Sequence, residues 1–286
     1  MIGGVGALVD QVRKHPIGSR DQMGSYARIA WWQVQSRLAS GSVVRNWVAG
    51  SKLVVRSGMR GATGNLYFGL YEFADMAFAL HLLRQSDLFV DIGANVGVYT
   101  VIASKVCGAR TIAFEPAVET LPALRANIAV NDIAGLVDVH EVALGDTPGH
   151  ADFTVGLDCI NHVALDGLVP TRRVPVHRLD DLLRDHDPVL IKIDVEGFER
   201  AVIAGAVETL NKPSLLAIEI ETVDAETHAM LTGAGFAEMF YDPMQRRLSD
   251  TPLGFEPGNR LFVRDRAAVM ARVEAAPRLS VHGVDL

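Results

Sequence analysis

The sequence predicts a doubly wound α/β fold, with a mostly parallel seven-stranded sheet, helices on both faces and an N-terminal helical extension. Three observations predict it. Short apolar runs each close on an acid: 88–90 on Asp91, 111–114 on Glu115, 189–193 on Asp194 and 215–220 on Glu221. Segments of helical length separate these runs, and such alternation builds parallel sheets covered on both faces. A glycine turn holding Gly93, Asn95 and Gly97 follows the first run directly. Right-handed crossovers then bring all the acid-bearing strand ends to one edge of the sheet.

The elements follow in order. Residues 1 to about 60 read as helical and irregular, with a strand at 51–56. Apolar positions Phe73, Met76, Ala77, Leu80 and Leu83 recur at helical spacing, so one helix is expected over 66–84. A strand at 88–92, a helix from Val98 and a strand at 111–114 come next. Pro116 suits the start of a helix reaching about Val130. Residues 137–144 read as the third strand, and 151–156 and 174–179 as shorter ones around an irregular stretch. The strand at 189–193, a helix at 198–210, the strand at 215–220 and a helix at 225–234 continue the alternation, and 236–241 with 260–264 close the sheet as an antiparallel pair. The expected organisation is an extension or cap over 1–65, a main domain over 66–265 and a weakly patterned, loose tail over 266–286.

Charge is unevenly spread. Residues 1–60 hold nine Lys or Arg against Asp10 and Asp21, a balance of +7 within an overall −7, which leaves −14 for the rest. All three tryptophans, Trp31, Trp32 and Trp47, share that basic segment. Two readings stand: a cap whose tryptophans pack on the main domain, or a contact surface for a partner, a membrane or an anionic substrate. The acidic main domain argues against nucleic acid. No window approaches a membrane span of about 20 apolar residues. The start makes a poor signal peptide. Cys107 and Cys159 lack zinc or disulfide spacing, so a cytoplasmic protein is expected.

The turn between strands carries the chemistry. Gly93 and Gly97 allow a sharp bend and close approach of a ligand. Glu115, about 20 residues on, is placed to accept hydrogen bonds from ribose hydroxyls. The pattern is D-x-G-x-N-x-G rather than G-x-G-x-x-G, and Asp91 beside the turn would repel a pyrophosphate. It suits a cationic ligand such as S-adenosylmethionine, which counts against a nicotinamide oxidoreductase.

At larger scale the chain resembles the FkbM family of S-adenosylmethionine-dependent methyltransferases. The resemblance rests on VDIGANVGVYT (90–100), AFEP (113–116), LRANIAVN (124–131), VALGD (142–146), VHRLDDLL (176–183), IKIDVEGFE (191–199) and LLAIEIE (215–221), and covers about residues 66–221. It implies a class I, Rossmann-like methyltransferase fold and O-methylation of a hydroxyl on a sugar, glycan or glycosylated natural product. By position it implies that Asp91, Gly93, Ala94, Asn95 and Gly97 hold the methionine part and that Glu115 with Pro116 takes the ribose. Glu141, Val142 and Ala143 would border the adenine, and Asp194 would face the methyl donor or the acceptor.

A hydroxyl acceptor must lose its proton, and Asp194, Glu196 and His162 are the catalytic candidates, with His177 also weighed. Glu196 and Glu199 read equally as helix-start acids, and His162 and Asn161 as loop residues. Lys192 inside a buried strand must pair with an acid or reach the site. A divalent metal is conceivable at Asp194 and Glu221, with Glu219 as a third ligand, but nothing in the sequence supports it. Acceptor choice is assigned to the N-terminal region, to 145–175 and to loops after the fourth and fifth strands. Few aromatics in 145–175 favour a polar, sugar-like acceptor. A homodimer through the Trp-rich segment and a non-catalytic S-adenosylmethionine-binding scaffold are the remaining alternatives.

Overall fold

A computed structural model describes residues 5–38, 41–154, 171–254 and 258–286. The N-terminal part consists of helices α1 (Val5–Lys14), α2 (Pro16–Arg20) and α3 (Gln22–Leu38), an antiparallel hairpin of β1 (Val43–Asn46) and β2 (Lys52–Val55), and helix α4 (Arg60–Phe68). The single helix expected over 66–84 is two. The chain breaks at Gly69, with φ +80°, and α5 (Phe73–Leu82) starts afresh after Glu72.

The main sheet begins with β3 (Leu88–Ile92), followed by α6 (Val98–Val101), which runs on into a wider π-helical turn over Ile102–Val106, where Cys107 N–H bonds Ile102 C=O at 3.1 Å. Next come β4 (Arg110–Phe114), α7 (Leu121–Val130) and β5 (Val137–His140). The expected third strand stops at His140, and Ala143–Leu144 (β6) joins β7 (Gly149–Thr154) and β8 (Thr171–His177) in a separate three-stranded sheet. Helix α8 (Leu179–Leu182), β9 (Leu190–Ile193), α9 (Glu199–Ala204), α10 (Val207–Leu210), β10 (Ala217–Ile220), α11 (Ala225–Gly233), β11 (Ala237–Asp242), β12 (Arg247–Ser249) and β13 (Arg260–Val263) follow.

The sheet order is β12-β11-β13-β10-β9-β3-β4-β5. The five strands from β10 to β5 are parallel, and β13 runs antiparallel to both neighbours. It has eight strands rather than seven, because the short β12 adds to the edge beyond β11. Strands β3, β9 and β10 are buried at every position, which is why they read as continuous apolar runs.

The segment 266–286 is not loose. It forms α12 (Arg266–Glu274), with Val269 and Val273 fully buried, and a final hairpin of β14 (Ser280–Val281) and β15 (Val284–Asp285). Arg272 bonds Asp87 at 2.6 Å and so ties that helix to the start of the sheet.

The N-terminal part shares the main core: Val12, Ile17, Ile29 and Trp32 belong to one buried cluster with Phe78, Phe89 and Val263. Two asparagines at the end of α7 fasten it. Asn127 Oδ1 accepts from Val54 N at 2.7 Å while its Nδ2 donates to Val96 O at 2.7 Å, and Asn131 Oδ1 accepts from Lys52 N at 2.8 Å. The three tryptophans divide. Trp32 is buried, Trp47 donates to Gly69 O at 2.5 Å, and exposed Trp31 carries Arg45 4.4 Å over its ring. The outer face of α3 leaves Met23, Trp31, Val34 and Leu38 exposed. Among the described residues no helix is long and apolar enough to cross a membrane.

Candidate active site

Where β3 ends, the backbone turns through Gly93 and Gly97, at φ +79° and +82°. The amides of Gly93 and Ala94 both donate to Phe114 C=O at 3.0 Å. These glycines do more than admit a ligand. A Cβ on Gly93 would lie 1.8 Å from the carbonyl oxygen of Asp194, and one on Gly97 would lie 2.4 Å from Leu124 Cδ1. The first glycine lets the ends of β3 and β9 touch, and the second lets α7 pack on the turn. Asp91 lies beneath and is 1% exposed. Its Oδ2 accepts from Thr100 Oγ1 at 2.6 Å, while its Oδ1 and the Oδ1 of Asn95 are buried with no hydrogen-bond partner in the protein.

At the end of β4, Glu115 accepts from Asn95 N at 2.6 Å and from Ala117 N at 2.8 Å. Burial pushes its carboxyl up to about 7 against these donors. A cavity of about 50 Å³ is bordered by Glu115, Pro116, Gly93, Asn95, Asp194 and Glu196. A narrower slot of about 20 Å³ is bordered by Pro116, Val142, Ala143, Phe153 and Phe198. Gly93, Pro116, Val195 and Phe153 border both. Eight of the expected residues, Asp194 and Glu196 among them, thus meet on one rim. Asp91, Ala94 and Gly97 support it from behind, and Glu141 stands on neither wall, exposed and paired with Arg125. Phe153 and Phe198 had no role in the sequence reading. Phe198 fell within an expected helix, and Phe153 on a strand whose separate small sheet, packed against the slot, was not foreseen.

Behind the rim lies a set of buried charges. Lys192 is 3% exposed, bonds Asp194 Oδ2 at 2.8 Å and stands 4.7 Å over the Tyr99 ring. In register it sits between Asp91 on β3 and Glu219 on β10. Tyr99 Oη donates to Glu72 Oε2 at 2.5 Å. Burial pushes the carboxyls of Glu72, Asp91 and Glu219 up, with Lys192 opposing in each case. Both oxygens of Glu219 lack a protein partner, so burial strongly disfavours its charged form. Burial also works against ionised Asp194, but the Lys192 ammonium outweighs it and holds that carboxyl below its usual range.

Glu221 lies beside Asp194. Burial, then the Asp194 and Glu196 charges, push it up to about 8, so it donates its proton toward Asp194. Asp194, Glu196 and Glu221 offer carboxylate oxygens all within 4.8 Å of one another, the one such grouping among the described residues. Glu196, rather than Glu219, completes the set able to hold a cation. Glu196 adopts φ +53°, a strained conformation for a non-glycine residue. Glu199 explains the end of its motif: its Oε1 accepts from Val195 N at 3.3 Å and Gly197 N at 3.2 Å, which braces the Glu196 loop. His162 and Asn161 lie outside the described residues, and His177 lies on β8.

These shifts set a pH dependence. Asp75 and Glu115 rise to about 7 and Glu221 to about 8, each chiefly through burial. Each takes up a proton on folding, so its stabilising effect is lost as pH rises through the folded value. Buried His15 and His81 fall to about 4 and oppose this trend only below their ordinary value of 6.5. Between pH 6.5 and 8 the acids act alone, and the urea midpoint is expected to fall across that interval. A rising midpoint would contradict the assignment.

A model described as the methyltransferase FkbM domain matches residues 91–240. The chain belongs to the FkbM methyltransferase family. One relative of this FkbM-family protein, the 31-O-demethyl-FK506 methyltransferase FkbM of Streptomyces tacrolimicus, is 30% identical over 207 residues, covering 57% of this chain and 78% of the relative. Another, the hexuronic acid methyltransferase AglP of Haloferax volcanii, is 26% identical over 141 residues, covering 48% and 57%. Among solved structures, a SAM-dependent methyltransferase from Agrobacterium tumefaciens aligns with TM-score 0.45 at 8% identity, covering 78% of this chain and 70% of that one.

The protein is therefore an S-adenosylmethionine-dependent methyltransferase of the class I fold, and membership decides for an enzyme over the scaffold alternative. The site residues fit that donor. The orphaned acceptors Asp91 Oδ1 and Asn95 Oδ1 suit a molecule that brings an ammonium and hydroxyls, and a rim of carboxylates suits its positive charge.

Proposed function

We propose that the FkbM-family protein transfers the donor methyl group to a hydroxyl oxygen of a sugar, glycan or glycosylated natural product. The observation that carries this reading is the convergence of Glu115, Asp194, Glu196 and Glu221 on one rim with Glu72 close behind it. The two named relatives, one acting on 31-O-demethyl-FK506 and one on a hexuronic acid by their names, support an oxygen acceptor. S-adenosylmethionine supplies a methyl carbon activated by its sulfonium, so the S–CH3 bond breaks as the O–CH3 bond forms and the sulfur keeps the electron pair.

Within this reading, Asn95 and the Glu115 carboxylate hold the donor's ribose side, and the apolar Val142, Ala143 and Phe198 border its flat base. Asp194, fixed and kept ionised by Lys192, favours the sulfonium in the ground state and is a weak base. Glu196 and Glu221 border the same point, and the hydroxyl proton leaves to a carboxylate of this rim or to Glu72 behind it. His162 remains a candidate base by sequence alone. The exposed stripe on α3 is the surface we assign to any peripheral membrane contact or second copy.

The test is calorimetric titration with S-adenosylmethionine and S-adenosylhomocysteine. Glu115→Gln turns a donor group toward the Asn95 and Ala117 amides, and donor affinity is expected to fall roughly tenfold to a hundredfold. Unchanged affinity in the variant would remove Glu115 from the donor site, and no binding at millimolar ligand in the parent would remove the proposed function.

A further inference from the structure

We propose that the acceptor occupies the cleft between the N-terminal helices and α5, with its hydroxyl delivered to Glu72, and that it is a glycoside carrying an apolar body rather than a free sugar. The proposal rests on reading the carboxylate rim as the methyl-transfer centre.

Three observations carry it. The first is continuity. Glu72 forms part of the cleft wall and also belongs to the buried charge set, through its bond from Tyr99 Oη at 2.5 Å and the ammonium of Lys192 4.7 Å above the same ring. That ammonium holds Asp194 at 2.8 Å, so Glu72 on the cleft wall is linked through Tyr99 and Lys192 to the residues assigned to the donor. The second is size. The cleft encloses about 1580 Å³, beyond the ~300–1,000 Å³ of ordinary small-molecule sites. A single free sugar would leave most of that wall in water and gain little from it.

The third is the chemistry of the wall. Tyr71 presents exposed aromatic surface, and the largely buried Trp32, Tyr67 and Phe73 border the cleft beside it, within the N-terminal region to which the sequence reading assigned acceptor choice in part. Between them stand Gln11 and Gln33, whose amides donate to Tyr71 Oη at 3.0 Å and Tyr67 Oη at 3.4 Å. Aromatic faces with interleaved amides match a ligand that alternates C–H surface with hydroxyls. The basic charge of the extension is not gathered here, since Lys14 pairs with Asp10 at 2.8 Å on the cleft rim. A neutral acceptor fits this wall better than an anionic one.

The experiment uses the full chain saturated with S-adenosylhomocysteine, and octyl β-D-glucopyranoside below its micelle concentration as the probe, with glucose as the comparison. Calorimetry is expected to show the octyl glucoside binding at least tenfold more tightly than glucose. Tyr67→Ala is expected to weaken the probe at least tenfold while S-adenosylhomocysteine affinity stays within twofold. A crystal structure of the unaltered protein with both ligands, which needs no variant to fold, is expected to place a glucosyl hydroxyl in hydrogen-bond reach of the Glu72 carboxylate. The proposal is overturned if the probe fails to bind, if glucose binds equally well, if Tyr67→Ala leaves probe affinity unchanged, or if the probe lies outside the cleft. Loss of S-adenosylhomocysteine binding by the parent protein would instead strike the proposed function itself.

Discussion

Replacing Gly93 with alanine is expected to destabilise the protein strongly and to weaken donor binding. Two costs coincide at this residue. Its φ of +79° lies in the left-handed region, which costs an L-residue about 1 kcal/mol. The added Cβ would also stand 1.8 Å from the Asp194 carbonyl oxygen, a backbone atom that cannot rotate away. Relief requires the end of β9 to separate from the turn, and overpacking of this kind adds ~1–3 kcal/mol. The total, about 3 kcal/mol, is a large share of the ~5–15 kcal/mol that stabilises a native domain. Gly97→Ala is the internal control. It shares the strained φ, but its Cβ meets the far end of the Leu124 side chain, which has rotamers to explore. Urea midpoints should therefore rank parent, Gly97→Ala, Gly93→Ala in falling order. A Gly93→Ala protein with the parent's midpoint and donor affinity would show that the strand ends do not touch as described.

Lys192→Met is expected to be the most damaging change among the charged residues. One ammonium opposes the burial of Glu72, Asp91 and Glu219 and bonds Asp194 directly. Breaking a buried pair by deleting one partner costs ~3–5 kcal/mol, because the other charge stays behind. The sign of the pH dependence separates this from lost packing. Without the ammonium the folded-state carboxyls rise further, so folding takes up more protons and the variant's deficit grows as pH rises. Protonation near pH 5 should relieve part of it. Unfolding curves at pH 5 and pH 8 give the answer, and a deficit equal at both values would rule out an electrostatic role for Lys192.

The central strands could be read from sequence because they are buried on both faces and so spell nearly continuous apolar runs, broken only by Lys192 and Glu219, that end in Asp91, Glu115, Asp194 and Glu221. The rim followed from topology, since parallel strands bring those ends together. What surrounds the rim was hidden for definite reasons. Glu72 lay inside an apolar stretch of unbroken helical period, and only Gly69 within that stretch hinted at the interruption that turns Glu72 toward Tyr99. Phe153 depends on a separate three-stranded sheet, ordered β6-β8-β7, whose pairing the local sequence pattern does not reveal. Val269 and Val273 made too sparse a stripe to announce a packed helix at 266–274. Lys192 did signal itself, because a lysine within a buried strand needs an anion, but its partner two residues along the chain was one of several available acids.

The asparagines of α7 set a rule for anyone recombining this enzyme with a relative. Asn127 and Asn131 reach the peptide groups of Lys52 and Val54, and Asn127 simultaneously grips Val96 inside the glycine turn. A crossover point placed between residues 1–50 and the remainder keeps that clasp within one parent. A crossover placed after Val55 divides it, and the donor turn then inherits a strand edge shaped for somebody else's helix.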